Sequence, residues 1–483
     1  MPDDVRSYEV LVVGAGPAGT SAALRAAELG ARVGLLEARR TGGTCVNTGC
    51  VPTRVLAKTA RFVREVRSAA GYGIDVGDPV VDWARTVARV RDVVERIHGV
   101  KAEPERLADL GVDLVLEGRA RFVDPHTMEL SDTGRRVRGD AVVLCVGGHS
   151  RRLPVPGAEL ALVPEQVLDM PEVPRRLAVV GAGNTGAQLV TVFSSLGSEV
   201  LLLEVVPRIL VSMDEDISRT VQDSFAAHAV DVRVGIERLV SLERAGEPDG
   251  RGEHVAGGPV RMTWVDHDGS EQQREVDAVI MSTGWPASVE GLGLEAAGVS
   301  TKGPAIPVDE FFRTDVEHVF AAGDANQQAM LVQAAHAEAE AAATNAVLGP
   351  TRRAPHRLLP SGGFTDPDYA GVGMTEAQAR ERDPQVAVAT VRYDRLERAV
   401  IDDREQGFLK LVADRRRDVL LGAHAAGESA VEVIQAVTTA MAAGVDVSTL
   451  AGVEFAYPTY SAVIGEAARR LRAPDARHAA ETS

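Results

Sequence analysis

Cysteine is scarce in this sequence, with three residues among 483. That is no framework for a disulfide-stapled secreted fold, which crowds its cysteines into a short chain. Basic residues are also in the minority. Lysine and arginine number 52 against 69 aspartates and glutamates, a formal net charge of -17. Nucleic acids and anionic membranes need basic surfaces, so neither is expected as a partner. No apolar run approaches the roughly 18 residues of a membrane-spanning helix. The opening stretch MPDDVRSYEVLVVGAG lacks the basic and then apolar segments of a secretory signal, so a cytoplasmic protein is expected. In a reducing compartment a close cysteine pair more often binds metal or does redox chemistry than staples a fold.

The length allows two to four domains, and an apolar fraction of 45% allows each a core. The first unit reads strand, glycine turn, helix, strand. An apolar strand from Tyr8 to Val13 runs into Gly14-x-Gly16-x-x-Gly19, a helix follows to about Leu29, and a second strand ends at Glu37. This is the dinucleotide-binding pattern. Gly14 permits the tight turn, Gly16 the approach of a pyrophosphate, and Gly19 close packing of helix on strand. Glu37 can accept hydrogen bonds from a ribose. The pattern repeats with Gly181, Gly183, Gly186 and Glu204. Two such units point to two dinucleotides, a resident flavin and a nicotinamide carrier. An acid at the end of the second strand favours a free 2′-hydroxyl, so NADH is expected over NADPH, with Arg208 as the residue that could reverse this.

Gly235 to Asp277 is polar and glycine-rich, with alternation that predicts hairpins. A strand, a turn at Gly323-Asp324 and a long alanine-rich helix come next. GPTRRAPHRLLP reads as a linker. Residues 357 to 470 mix strands and helices with no further glycine fingerprint, and the tail APDARHAAETS is expected to fray.

Cys45 and Cys50 lie in GGTCVNTGCVPTR. A zinc site needs about four ligands, and the eleven histidines are scattered singly, so no metal is expected. A structural disulfide is disfavoured in a reducing compartment. A redox-active pair fits best, because CVNTGC is placed to open a helix whose amides stabilise a thiolate. Cys145 reads as a small buried hydrophobe at a strand end.

Together these stretches resemble the class I pyridine nucleotide-disulfide oxidoreductases, over nearly the whole chain. The Cys-x-x-x-x-Cys element, CVGG from Cys145, FAAGD ending at Asp324, and FTDPDYAGVGMTEAQA from Phe364 carry the resemblance, with EQGFLKLVAD and LGAHAAGESAVEVI behind them. It implies an α/β fold with two Rossmann-like dinucleotide-binding domains and a C-terminal α+β dimerisation domain. The FAD domain is expected at 1–150 and 278–348, the NAD(P) domain at 151–277 and the dimerisation domain at 355–475. A homodimer whose active sites take residues from both chains is implied. FAD contacts are expected at Gly14, Gly16, Gly19, Glu37, Gly43, Thr44, Arg54, Ala120, Gly147 and Asp324. The second cofactor is expected at Gly181, Gly183, Gly186, Glu204 and Gly284. Cys50 would lie against the flavin and Cys45 would exchange with substrate. Electrons would pass between NADH, FAD and the dithiol, in either direction.

Three departures from the family pattern matter. Arg54 and Gln188 stand where the family has a lysine–glutamate pair, so a positive charge survives without its partner. Trp285 replaces an arginine in STGWPASVEGLGLE. Tyr457 and Ala462, in FAYPTYSAVIGEA, stand where the family's disulfide reductases carry a proton-shuttling histidine and its orienting glutamate. A tyrosine, with a pKa of about 10, is a poor shuttle near neutrality. No histidine lies between Ala425 and Arg477. The expected function is therefore an FAD- and NADH-dependent dithiol enzyme serving a non-standard small-molecule acceptor or donor. A quinone reductase, diaphorase, transhydrogenase or specialised dehydrogenase in which the cysteines are secondary is the alternative, with dihydrolipoamide dehydrogenase third.

Overall fold

The computed structural model describes residues 5–245, 259–353 and 358–472. Residues 246–258 of the expected hairpin segment, residues 354–357 of the expected linker and the tail from 473 lie outside the described residues. The first strand, Arg6–Val13, alternates at its start and is wholly buried over its last four residues. That run reflects a parallel strand covered on both faces. Val33–Leu36 and Arg136–Leu144 flank it in parallel, and Asp113–Val115 extends the sheet beyond Val33–Leu36. Val319–Ala321 pairs in parallel with Val142 to Leu144, so two distant chain segments build this domain. A short antiparallel pair, Ala120–Phe122 and Thr127–Leu130, joins the start of Arg136–Leu144. Helices Pro17–Glu28 and Val332–Leu348 pack together through Ala18, Ala22, Ala335 and Ala339, all in one buried cluster. Such small side chains let helix axes approach closely.

The second domain has a four-stranded parallel sheet in the order Ala278–Met281, Arg176–Val180, Glu199–Glu204, Asp231–Val234. The boundary expected between 277 and 278 therefore falls one strand early. Ala278–Met281 is apolar and fully buried, and it completes this sheet rather than the first. The expected hairpins form a three-stranded antiparallel sheet of Arg238–Arg244, Val260–Val265 and Glu271–Val276.

The third domain is a five-stranded antiparallel sheet, ordered Ser361–Gly363, Tyr369–Gly373, Val419–Ala426, Phe408–Asp414, Ala387–Arg392. Helices Ala430–Ala442 and Ala462–Arg472 share its core. A buried ion cluster fastens it to the second domain: Lys410 Nζ lies 2.9 Å from Asp214, 2.5 Å from Asp216 and 2.8 Å from Glu376.

Candidate active site

Both glycine fingerprints form the same cradle. Gly14 has φ 96°, and a Cβ on Gly19 would lie 1.6 Å from the Gly14 carbonyl oxygen. Gly181 has φ 99°, and a Cβ on Gly186 would lie 1.9 Å from the Gly181 carbonyl oxygen. Only glycine satisfies these positions. Gly16 and Gly183 cap helices Pro17–Glu28 and Asn184–Ser195 without any side-chain hydrogen bond. The first-turn amides are thus left for a phosphate. Gly43 closes the first cradle: a Cβ there would meet Gly16 Cα at 2.8 Å. Thr44 follows it in the short helix Gly43–Asn47.

The two acids behave alike. Glu37 accepts the Ala15 amide at 2.8 Å and the Arg39 amide at 2.9 Å. Glu204 accepts the Ala182 amide at 2.6 Å and the Val206 amide at 3.1 Å. Each carboxylate clamps its own glycine turn and keeps lone pairs for a ribose. Arg208 donates to the carbonyls of Leu210, Val211 and Met213, at 3.2, 2.8 and 3.0 Å. Ala120 is buried in its strand. The Gly147 carbonyl accepts the Ser288 amide at 2.9 Å, and that of Gly284 accepts the Arg151 amide at 3.3 Å.

Cys45 sits in Gly43–Asn47, and Cys50 is the first residue of the long helix Cys50–Ser68. Gly49 caps that helix without a side-chain bond, so the thiol meets open first-turn amides. Neither cysteine is in a disulfide, and a hydrogen bond joins the two thiols. That bond pulls the Cys50 thiol down to about 7, with help from its own backbone amide and against partial burial and the Asp324 charge. Cys45 is pushed up, first as the donor in this bond and then by burial, with Lys101 acting the other way. Asn47 anchors the Cys45 helix: its Nδ2 donates to the Thr41 carbonyl at 3.0 Å, and its Oδ1 lies 2.8 Å from His98 Nε2.

Cys50 opens onto a cavity of about 910 Å³ that Arg54, Phe364 and Asp368 also line. The Arg54 guanidinium carbon lies 3.0 Å from the centre of the Phe364 ring. The Phe364 amide donates to Gln188 Oε1 at 3.4 Å, while Gln188 Nε2 donates to the Asn184 carbonyl at 2.9 Å. Phe364, rather than an ion pair, therefore links Arg54 to Gln188. Nor is the Arg54 charge left alone, because Asp368 and Glu432 act on it. Burial pushes the Asp368 carboxyl up to about 7, against the pull of Arg54 and with support from Glu428 and Glu432. Phe364 and Asp368 were missed as site residues, as was Lys101, since nothing in local spacing marks them. Trp285 Nε1 donates to Asp324 Oδ2 at 2.7 Å. Tyr457 is 77% exposed and does not line the cavity beside Cys50 within its own chain.

Two glycine turns of the dinucleotide-binding kind and a close thiol pair in one chain are the marks of a nucleotide-dependent oxidoreductase. The comparisons make this specific. Residues 8–339 match the family described as "Pyridine nucleotide-disulphide oxidoreductase", and residues 359–468 match its dimerisation domain. Dihydrolipoyl dehydrogenase 2 of Haloarcula marismortui is 33% identical, across 97% of this chain and 98% of that protein. A mercuric reductase of Lysinibacillus sphaericus is 30% identical, across 92% of this chain and 79% of that protein. The structure of the HOCl-induced flavoprotein disulfide reductase RclA from Escherichia coli shares the fold, with TM-score 0.82 at 24% identity over 96% of this chain and 99% of that one. The chain belongs to the pyridine nucleotide-disulphide oxidoreductase family and is an FAD-dependent enzyme linked to NAD(P)H. The first cradle fits FAD: its helix start is uncapped, Gly16 and Gly43 leave the backbone bare, and Asp324 offers a half-buried carboxylate. No helix among the described residues is long and apolar enough to cross a membrane.

Proposed function

We propose that this enzyme is an NADH-linked flavoprotein whose Cys45–Cys50 pair is redox-active and serves a non-standard small-molecule acceptor. The observation that carries this is the placement of the pair: Cys50 opens the helix Cys50–Ser68 at an uncapped N-terminus on a cavity of about 910 Å³, with Cys45 in the short helix just before it. Gly14, Gly16, Gly19, Gly43 and Asp324 would hold FAD, and Gly181, Gly183, Gly186 and Glu204 the nicotinamide coenzyme. Bound FAD supplies the hydride-accepting ring that connects the coenzyme to the sulfurs. Opening a Cys45–Cys50 bond takes one electron pair and one proton, leaving Cys50 as thiolate and Cys45 as thiol. Passing the pair onward requires Cys45 to lose its proton. Where the family carries its histidine–glutamate dyad this chain has Tyr457 and Ala462, and the one histidine lining the cavity among the described residues, His228, has its Nδ1 on the Ser224 carbonyl at 2.8 Å. Disulfides that need a proton delivered to a leaving sulfur are therefore served poorly, and quinones, dyes, electrophiles or metal ions better. The preference for NADH is supported by Glu204, whose charge opposes a 2′-phosphate, and by Arg208, whose guanidinium is taken up by three carbonyls. We read the chain as a cytoplasmic homodimer, supported by its dimerisation domain and by the exposure of Tyr457.

Anaerobic reductive titration of the purified yellow protein tests this. A working disulfide takes up an electron pair beyond that of the flavin, and a long-wavelength thiolate absorbance should develop that Cys50→Ser removes and Cys45→Ser keeps. Uptake that stops at the flavin equivalent would favour the reading in which the cysteines are secondary. An anaerobic acceptor screen following NADH consumption then names the substrate class.

A further inference from the structure

The loop after strand Ala278–Met281 leaves the second domain and crosses to the first. A bridge between Gly148 and Ala287 seats it there. Gly148 makes room for an indole, since a Cβ on it would lie 2.4 Å from Trp285 Nε1. The indole N–H donates to Asp324 Oδ2 at 2.7 Å. Asp324 stands in the tight turn Gly323–Ala325, whose backbone is held by Gln327 Nε2 donating to the Asp324 carbonyl at 2.7 Å. We propose that Trp285 is a positioning residue for FAD, fixing one oxygen of Asp324 so that the other is presented to the cofactor. An indole is a donor only and carries no charge. It can therefore orient this carboxylate through one directed bond. Burial raises the Asp324 carboxyl and the indole bond lowers it, so the same contact keeps the group an acceptor. The inference rests on the assignment of FAD to the first cradle.

The test compares holoenzymes by dilution, reading released FAD from its fluorescence and protein stability from thermal unfolding of each apoprotein. Trp285→Phe should weaken FAD binding by on the order of tenfold or more, the size of one hydrogen bond to a charged group. Trp285→Arg, which restores a donor, should recover most of the loss. In an Asp324→Ala background, which removes the acceptor, Trp285→Phe should add little, because the two act as one unit. Trp285→Met replaces the phenylalanine variant if that does not fold. Unchanged FAD retention in the donor-less variant, no recovery by arginine, or an additive loss in the double variant would overturn the proposal. A wild-type protein that holds no FAD would overturn the assignment beneath it, and this inference with it.

Discussion

Removing Cys45 should make Cys50 behave as an ordinary thiol. In the structure Cys50 stands at about 7 against an ordinary 9.0, and the hydrogen bond from Cys45 is the largest cause. Cys45→Ala deletes that donor and leaves partial burial and Asp324 to push Cys50 back up. At pH 7 the thiolate fraction then falls from about half to about 1%, roughly 50-fold. A more basic thiolate is also a better nucleophile. With a Brønsted slope of about 0.4–0.5, a rise of about two units returns roughly 8-fold. The net expectation is that alkylation of Cys50 slows about 6-fold at pH 7. Well above pH 9 both proteins approach full thiolate, and the variant should alkylate faster, so the two rate profiles cross at about pH 8. Cys45→Ser keeps a hydroxyl donor and should stay close to the parent. Iodoacetamide labelling of the reduced holoenzymes, with the Cys50 peptide followed by mass spectrometry across pH, measures all three. The depressed pKa also has a stability consequence. Its contribution is present above the ordinary thiol value and is lost as pH falls through about 7. Parallel profiles for the parent and Cys45→Ala, with no crossing, would refute the reasoning.

Flavin reduction should be faster with NADH than with NADPH, and Glu204→Ser should narrow the ratio by on the order of tenfold, as one like-charge contact is removed; faster reduction of the parent by NADPH would show that another group overrides the acid. Lys410 is 5% exposed and faces Asp214, Asp216 and Glu376, so Lys410→Met should cost about 3–5 kcal/mol in urea unfolding at neutral pH. That deficit should shrink in acid, where the orphaned carboxylates take up protons. Tyr457→His combined with Ala462→Glu should raise lipoamide turnover, since general acid–base help is worth about 10²–10⁴ in rate. A parent enzyme already limited only by flavin reduction with lipoamide would show that another group moves the proton.

Glycine and cysteine spacing was enough to locate both tight glycine turns and the neighbouring thiols. The reason is local: a left-handed turn at Gly14 or Gly181, and a Cβ-free contact at Gly19 or Gly186, depend on residues within a few positions. Buried parallel strands likewise declare themselves as short apolar runs. What decides charge is not local. Ala278–Met281 is a short apolar run in the sequence, and only its pairing with Leu177 to Val180 shows which sheet owns it. Arg208 is four residues from Glu204, and only the folded chain shows its guanidinium donating to backbone carbonyls. Arg54 meets Phe364 and the field of Asp368 from more than three hundred positions away, and Trp285 reaches Asp324 across a domain junction. Ionisation depends on burial and on which groups are brought together, so only the tertiary structure decided which groups act on each thiol and on the Asp324 carboxylate.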